Sequence, residues 1–306
     1  MSSLLVFPGQ GAQQPGMLHR LPRETLIEAS EVLGEDVLRL DAADALKSTR
    51  AVQLCLLIAG VAGARQLAMA PDYVAGLSIG AYPAAVVAGA LSFSDALQLV
   101  SLRGELMQQA YPQGYGMTAI IGLDLATVEA LLAQVHSTDS PVYLANINAD
   151  NQVVIAGSDE AMNAVAGLAK ARRGACTCVI KRLAVSVPSH CPLLEAPAKA
   201  LAQAFARVTL NTPVLGYLSG SRARPVVKPD ALRDDLAFNM CRVVDWRGTV
   251  QSAYERGVRL QIELPPGAVL TGLARRVFEQ GTVMAFDGAR LDTLQALLRE
   301  EGSRQL

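Results

Sequence analysis

A basic excess is missing from this chain. Lys and Arg number 27 against 28 Asp and Glu, a formal net charge of -1, and no basic stripe appears, which argues against a nucleic-acid partner. Long apolar runs are missing too. Mean hydropathy is high at +0.27, yet the most apolar stretches, 54–64 (LCLLIAGVAGA) and 81–91 (AYPAAVVAGAL), are 11 residues each, too short to cross a bilayer. The N-terminal MSSLLVFPGQG lacks a basic flank, and its apolar run is only Leu4 to Phe7. No signal peptide is expected, and the expected location is cytoplasmic. Cysteines are few and odd in number: Cys55, Cys176, Cys178, Cys191 and Cys241. A disulfide framework is therefore not expected. Cys176 and Cys178 form a CxC pair with no second pair at ligand spacing, so no metal site is expected. Only three histidines occur, His19, His136 and His190. Any mechanism that needs an imidazole must choose among them.

What is present is apolar and ordered. Apolar residues make up 51% and charged residues 18% of 306, enough to bury a core in one large domain or two ordinary ones. Residues 4–7 read as a buried strand ending in Pro-Gly, and 24–34 and 51–69 carry helical periodicity. Residues 74–77 read as a short strand, 80–91 as an apolar helix, and Ser94 as the cap of a helix to about Ala110. This alternation predicts an α/β layer structure with a mainly parallel sheet.

The rhythm then changes. Residues 117–123, 142–148, 152–157 and 176–183 read as strands, and 125–136 and 158–172 as helices. The order β-α-β-β-α-β is the ferredoxin-like pattern. The expected organisation is a small subdomain at 117–186 inserted into a large one made of 1–116 and 187–306. Beyond it, helices are expected at 192–207, 230–240, 246–256, 268–279 and from about 291, and strands at 214–219 and 258–263.

The sharpest motif is Gly76-Leu77-Ser78-Ile79-Gly80, a G-x-S-x-G between a short strand and a helix. A nucleophile elbow needs that context: the glycines allow a sharp turn, and the serine hydroxyl is left at its tip. The Ile79 N–H at the helix start is placed to stabilise an oxyanion. The plainer alternative is a tight turn whose serine only caps the helix. A serine nucleophile needs a base. His190 lies in Ser186-Val187-Pro188-Ser189-His190-Cys191-Pro192, bracketed by two prolines, whereas His19 lies in a polar loop and His136 at the end of a surface-type helix. A histidine that merely bonds backbone is the competing reading.

Phe7-Pro8-Gly9-Gln10-Gly11-Ala12-Gln13 follows the first strand. A dinucleotide loop fails on spacing, because Gln14 stands where the third glycine of G-x-G-x-x-G belongs. The loop is free instead to offer a backbone N–H to the same oxyanion. Arg103 lies one turn from Leu99, Val100, Leu106 and Met107, on the apolar side of its helix or at its edge. It is costly there unless it meets an anion; snorkelling or an internal ion pair is the alternative.

Together these residues resemble the malonyl-CoA:acyl carrier protein transacylases and related acyltransferase domains over nearly the whole chain. The resemblance rests on FPGQGAQ at 7–13, GLSIG at 76–80, LRGELMQ at 102–108, MTAIIGL at 117–123, NADNQVVIAG at 148–157, SVPSHCPLL at 186–194 and PPGAVLTGL at 265–273. It implies a hydrolase-like α/β large subdomain with a ferredoxin-like small one. It also implies roles: Ser78 as nucleophile, His190 as base, the Gln10 and Ile79 N–H groups as oxyanion hole, and Arg103 as partner of a malonyl carboxylate. Asn239 aligns with the position whose main-chain carbonyl orients the histidine, so a Ser-His dyad is implied. No bound cofactor or metal is implied; malonyl-CoA would be the donor and the prosthetic-group thiol of an acyl carrier protein the acceptor. Two departures stand out: Leu77 where the family usually has His, and Ala81 where it usually has Glu. With the compact 36–53 segment, the 80–91 helix and the retained Arg103, the chain looks most like the malonate decarboxylase epsilon subunit, whose partners would be the carrier and other subunits of that complex. A transacylase of fatty-acid or polyketide synthesis is the alternative, and a non-catalytic scaffold subunit keeping the fold is another.

Overall fold

The computed structural model describes residues 2–172 and 178–303. In chain order its strands and helices are β1 (Ser2–Phe7), α1 (Arg23–Leu33), α2 (Thr49–Arg65), β2 (Tyr73–Gly76), α3 (Ala81–Val87), α4 (Phe93–Ala110), β3 (Tyr115–Ile121), α5 (Leu125–Val135), β4 (Val142–Ala149), β5 (Gln152–Ser158), α6 (Asp159–Ala171) and β6 (Val179–Arg182). They continue with α7 (Glu195–Phe205), β7 (Gly216–Ser219), β8 (Arg224–Pro225), α8 (Pro229–Phe238), β9 (Val244–Asp245), α9 (Trp246–Glu255), β10 (Val258–Glu263), α10 (Val269–Ala274), β11 (Thr282–Ala285) and α11 (Leu291–Ser303).

Among the described residues, six strands form one sheet in the order β11-β10-β1-β2-β7-β8. All its pairs are parallel except β7 with β8. The β1 residues show why the centre is apolar throughout. Leu5 and Phe7 join the core that contains α2 and α3, while Leu4 and Val6 point to the opposite face, against Trp246, Val250 and Leu270. A strand covered on both sides reads as a continuous run, not an alternation. The chain leaves β1 for β2 on one side and returns later to β10 on the other. This strand-order reversal opens a crevice beyond the carboxyl end of β1, the usual place for a ligand in such sheets. Phe7 is in register with Gly76, so the loop after β1 and the turn after β2 lie side by side there.

A second sheet has the order β6-β3-β5-β4-β9. Its first four strands are antiparallel, with α5 and α6 packed on one face through Ile120, Leu131, Val153, Ile155 and Val165. This is the ferredoxin-like arrangement. The other face carries Met117, Ala119, Val154 and Ala156, packed against Cys191 beside His190. β9, only two residues long, comes from the later part of the chain and pairs in parallel with β4.

Several sequence expectations shift. The 80–91 helix is a 3-10 turn at Ser78–Gly80 followed by α3, and the chain turns away at Gly89, whose φ is 69°. The cap of α4 is Ser92, not Ser94: the Ser92 hydroxyl accepts from the Asp95 amide at 3.0 Å, and Ser94 lies inside the first turn. The 192–207 helix divides into a 3-10 turn at Pro192–Leu194 and α7. β8, β9 and β11 were not foreseen. Cys176, one half of the CxC pair, lies outside the described residues. No helix among the described residues is long and apolar enough to cross a membrane.

Candidate active site

The turn after β2 is compressed as far as a backbone allows. A Cβ on Gly76 would stand 1.9 Å from the carbonyl carbon of Gly80, and one on Gly80 would stand 2.1 Å from the Phe7 carbonyl oxygen. Both glycines are therefore steric requirements of the turn. Ser78 between them has φ of 57°, a left-handed conformation that a non-glycine residue adopts only under constraint. That strain aims its hydroxyl out of the turn. The Ile79 amide lies in the first turn after Ser78, where N–H groups lack an intrahelical acceptor.

His190 is held in the same unusual region, with φ of 64°. Its amide donates to the Met240 carbonyl at 2.6 Å. Its ring Nδ1 lies 2.7 Å from the Asn239 carbonyl oxygen, and its Nε2 lies 2.8 Å from Ser78 Oγ. A carbonyl can only accept, so Nδ1 carries the proton and Nε2 is left to accept from the serine hydroxyl. Burial, aided by the nearby Arg103 charge and opposed by the Asn239 carbonyl, pushes the imidazole pKa from 6.5 down to about 4. The ring is thus neutral at physiological pH. The other two histidines are elsewhere: His19 faces Asp41, and His136 meets the Val142 carbonyl.

Arg103, fully buried, reaches this dyad from α4. One terminal nitrogen donates to Gln53 Oε1 at 2.6 Å and the other to Asn239 Oδ1 at 3.0 Å. Its Nε has no partner among the described residues. Its charge faces the Tyr82 ring at 5.8 Å and, among the described residues, no carboxylate, and burial lowers its pKa. The guanidinium does not line the cleft above Ser78; it sits behind it, against two neutral amides. Asn239 contributes more than its carbonyl, since its Nδ2 also donates to the Ser78 carbonyl oxygen at 3.2 Å.

The cleft above Ser78 measures about 350 Å³. Gln10, Leu77, Ser78 and His190 form its floor, and the free face of the small sheet forms its roof, with Met117, Ala119, Asn146 and Asn148. The Oδ1 atoms of Asn146 and Asn148 are buried without a partner among the described residues. Leu77 lies against the loop after β1, where a Cβ on Gly9 would stand 2.6 Å from its Cδ2. Ala81 is buried at the start of α3.

Sequence reasoning missed Gln53, Asn146 and the side chain of Asn239. Gln53 left a signal: it is one polar residue between Val52 and Leu54 in an apolar helix, and it is fully buried.

The comparisons with known proteins agree with this architecture. The family model described as "Acyl transferase domain" matches residues 4–303. The malonyl CoA-acyl carrier protein transacylase of Escherichia coli K12 is 40% identical over 304 residues, covering 92% of this chain and 94% of that protein. The same-named protein of Bacillus subtilis is 31% identical, covering 97% of each. Among solved structures, FabD from Acinetobacter baumannii superposes with a TM-score of 0.90 at 36% identity, covering 98% of this chain and 99% of that one. A malonyl-transacylase solved in complex with a type II PKS acyl-carrier protein superposes with a TM-score of 0.89 at 35% identity, covering 98% and 100%. With the match running through both sheets and across the Ser78–His190 pair, the chain belongs to the malonyl-CoA:acyl carrier protein transacylase family of acyltransferase domains.

Proposed function

We propose that the protein moves a malonyl group from malonyl-CoA to the thiol of an acyl carrier protein through a malonyl-seryl intermediate. One observation carries the malonyl reading: Arg103, a fully buried cation next to the Ser78–His190 pair, meets only neutral partners among the described residues. A buried charge without a counter-ion is expensive, and a carboxylate delivered by the substrate supplies that counter-ion. Neutral His190 takes the Ser78 proton as Oγ attacks the thioester carbonyl. The Gln10 and Ile79 N–H groups receive the oxyanion, and the Asn239 carbonyl holds the imidazolium. His190 then returns the proton to the departing CoA sulfur. The carrier thiol enters and the steps run in reverse, which makes the kinetics ping-pong. None of these steps routes through a cofactor.

The named relatives are transacylases, and one structure holds a polyketide carrier protein. They support a carrier of fatty-acid or polyketide type over a malonate decarboxylase complex; the latter rests on residue resemblances, at 36–53, 80–91 and Arg103, with the departures at Leu77 and Ala81. We place the small subdomain at 117–186, on the strand order of the second sheet. Mixing the protein with malonyl-CoA and mapping the adduct by mass spectrometry tests the reading. A malonyl group on Ser78 is expected; an adduct on a cysteine, or none, overturns it.

A further inference from the structure

Gln53 joins two parts of the site that have separate tasks in the reaction. Its Oε1 accepts from Arg103 at 2.6 Å, and its Nε2 donates to Gln10 Oε1 at 3.1 Å. An arginine can only donate. The guanidinium therefore dictates which end of the Gln53 amide faces it, and so which end of the Gln10 amide faces Gln53. The direction of the whole chain of bonds is set at Arg103.

The loop that receives this order is pinned on either side of Gln10: Gly9 packs against Leu77, and the Gly11 amide donates to Gln13 Oε1 at 2.7 Å. Gln10 sits between Gly9 and Gly11, and Gly11 has φ of 110°, a region open to glycine. Between those pins, the Gln10 side chain ties the loop to α2 in the core. Arg103 carries a second, parallel branch, through Asn239 to the Ser78 carbonyl.

We propose that Gln53 is a positioning residue that transmits the placement of Arg103 to the Gln10 loop, so that the group reading the acyl carboxylate also sets the N–H that stabilises the oxyanion. The inference rests on the functional reading above, in which Gln10 is an oxyanion donor. Arg103 then affects even acyl groups that lack a carboxylate.

Acetyl-CoA is the probe, because it has no carboxylate for Arg103 to lose. Single-turnover acylation of Ser78 is measured for the unaltered protein, Gln53→Leu, Arg103→Ala and the double variant. Each single substitution is expected to slow the step about 10-fold at saturating acetyl-CoA, with KM within about 2-fold, as for a displaced oxyanion donor. The double variant is expected to be no slower than the worse single one, because both break the same chain. Multiplying losses, or a single variant at the unaltered rate, overturn the coupling. Gln53 is buried, so Gln10→Ala provides a second route: it keeps the backbone N–H and removes only the tether. It is expected to match Gln53→Leu in rate and to add nothing to Arg103→Ala. A loss confined to KM or to thermal stability overturns the positioning role. An unaltered protein that malonyl-CoA never acylates at Ser78 overturns the functional reading as well, whereas malonyl acylation of Ser78 with multiplying acetyl losses overturns the coupling alone.

Discussion

Along the floor of the cleft and directly behind it, Ser78, His190, Asn239, Arg103, Gln53 and Gln10 are joined by hydrogen bonds of 2.6–3.2 Å. On the roof, the Oδ1 atoms of Asn146 and Asn148 meet no partner among the described residues. The floor is fixed before any ligand arrives, which is what charge stabilisation in a transition state requires. The roof carries acceptors whose donors must come from elsewhere. The comparison predicts that the reacting groups sit on the floor, with Arg103 reading the acyl carboxylate from behind it, while the roof contacts the rest of the substrate. Substitutions on the floor should therefore act mainly on rate, and those on the roof on binding.

The largest break comes from Ser78→Ala, which is expected to abolish the acyl-enzyme and slow transfer by at least ~10³-fold. Quench-flow with radiolabelled malonyl-CoA reads both. His190→Ala should slow acylation and deacylation alike, by about 10²-fold or more, since one imidazole serves as base and then as acid. Normal acylation in that variant would make His190 structural. The same residue sets the pH profile. Its pKa of about 4 predicts an acylation rate that is level near neutrality and falls as pH drops through 4. Its pKa is lower in the folded chain than the ordinary 6.5, so between those values the unfolded chain binds a proton that the native one refuses. Stability is then full above pH 6.5 and declines as pH falls toward 4. Urea titrations of the protein and of His190→Ala should differ in that window.

Arg103→Ala sharpens the comparison by separating acyl groups. Malonyl transfer should lose roughly 2 kcal/mol or more, about 30-fold, the lower end for breaking a buried charge pair. Acetyl transfer should lose less, and the ratio of the two kcat/KM values is the measurement. Equal losses would remove Arg103 from carboxylate recognition. Arg103→Lys should rescue only in part, because a point charge lacks the fork of donors. The smallest effect belongs to the roof. Asn146→Leu removes a buried acceptor that has no partner among the described residues and should stabilise the fold by about 1 kcal/mol, read as a higher urea midpoint, while KM for malonyl-CoA rises and kcat holds. A fall in kcat alone would put Asn146 with the floor.

Much of this was legible in the residues because the strained parts of the site leave steric signatures. Gly76 and Gly80 flank Ser78 because nothing larger fits, and the prolines around His190 mark a rigid turn. The β-α-β-β-α-β order was visible because β3 to β6 alternate with two strongly periodic helices. Elements that depend on a distant partner were not visible. β9 is two residues long and exists as a strand only because β4 lies beside it. β11 is a partly exposed edge strand. Arg103 was read as an arginine awaiting an anion; that it also leans on Gln53 and Asn239, 50 and 136 positions away, is a property of the packed chain. The burial of the Asn146 oxygen is likewise invisible until the roof is assembled.

Asn239 gives His190 a carbonyl where many serine–histidine sites supply a carboxylate. A carbonyl brings no net charge to offset burial and the nearby guanidinium, so the imidazole remains a feeble base. Once CoA has gone, that base faces two incoming nucleophiles. A thiol ionises near 8.5 and water near 15.7, a gap of about seven powers of ten in the readiness to give up a proton. The imidazole can serve the Ser78 hydroxyl, itself about as reluctant to ionise as water, because a hydrogen bond of 2.8 Å holds the two in place; a carrier thiol needs far less help from the base than a water that no such bond positions. In the proposed reaction, the choice of carrier over water therefore lies in the acidity of the incoming nucleophile and not in the strength of His190.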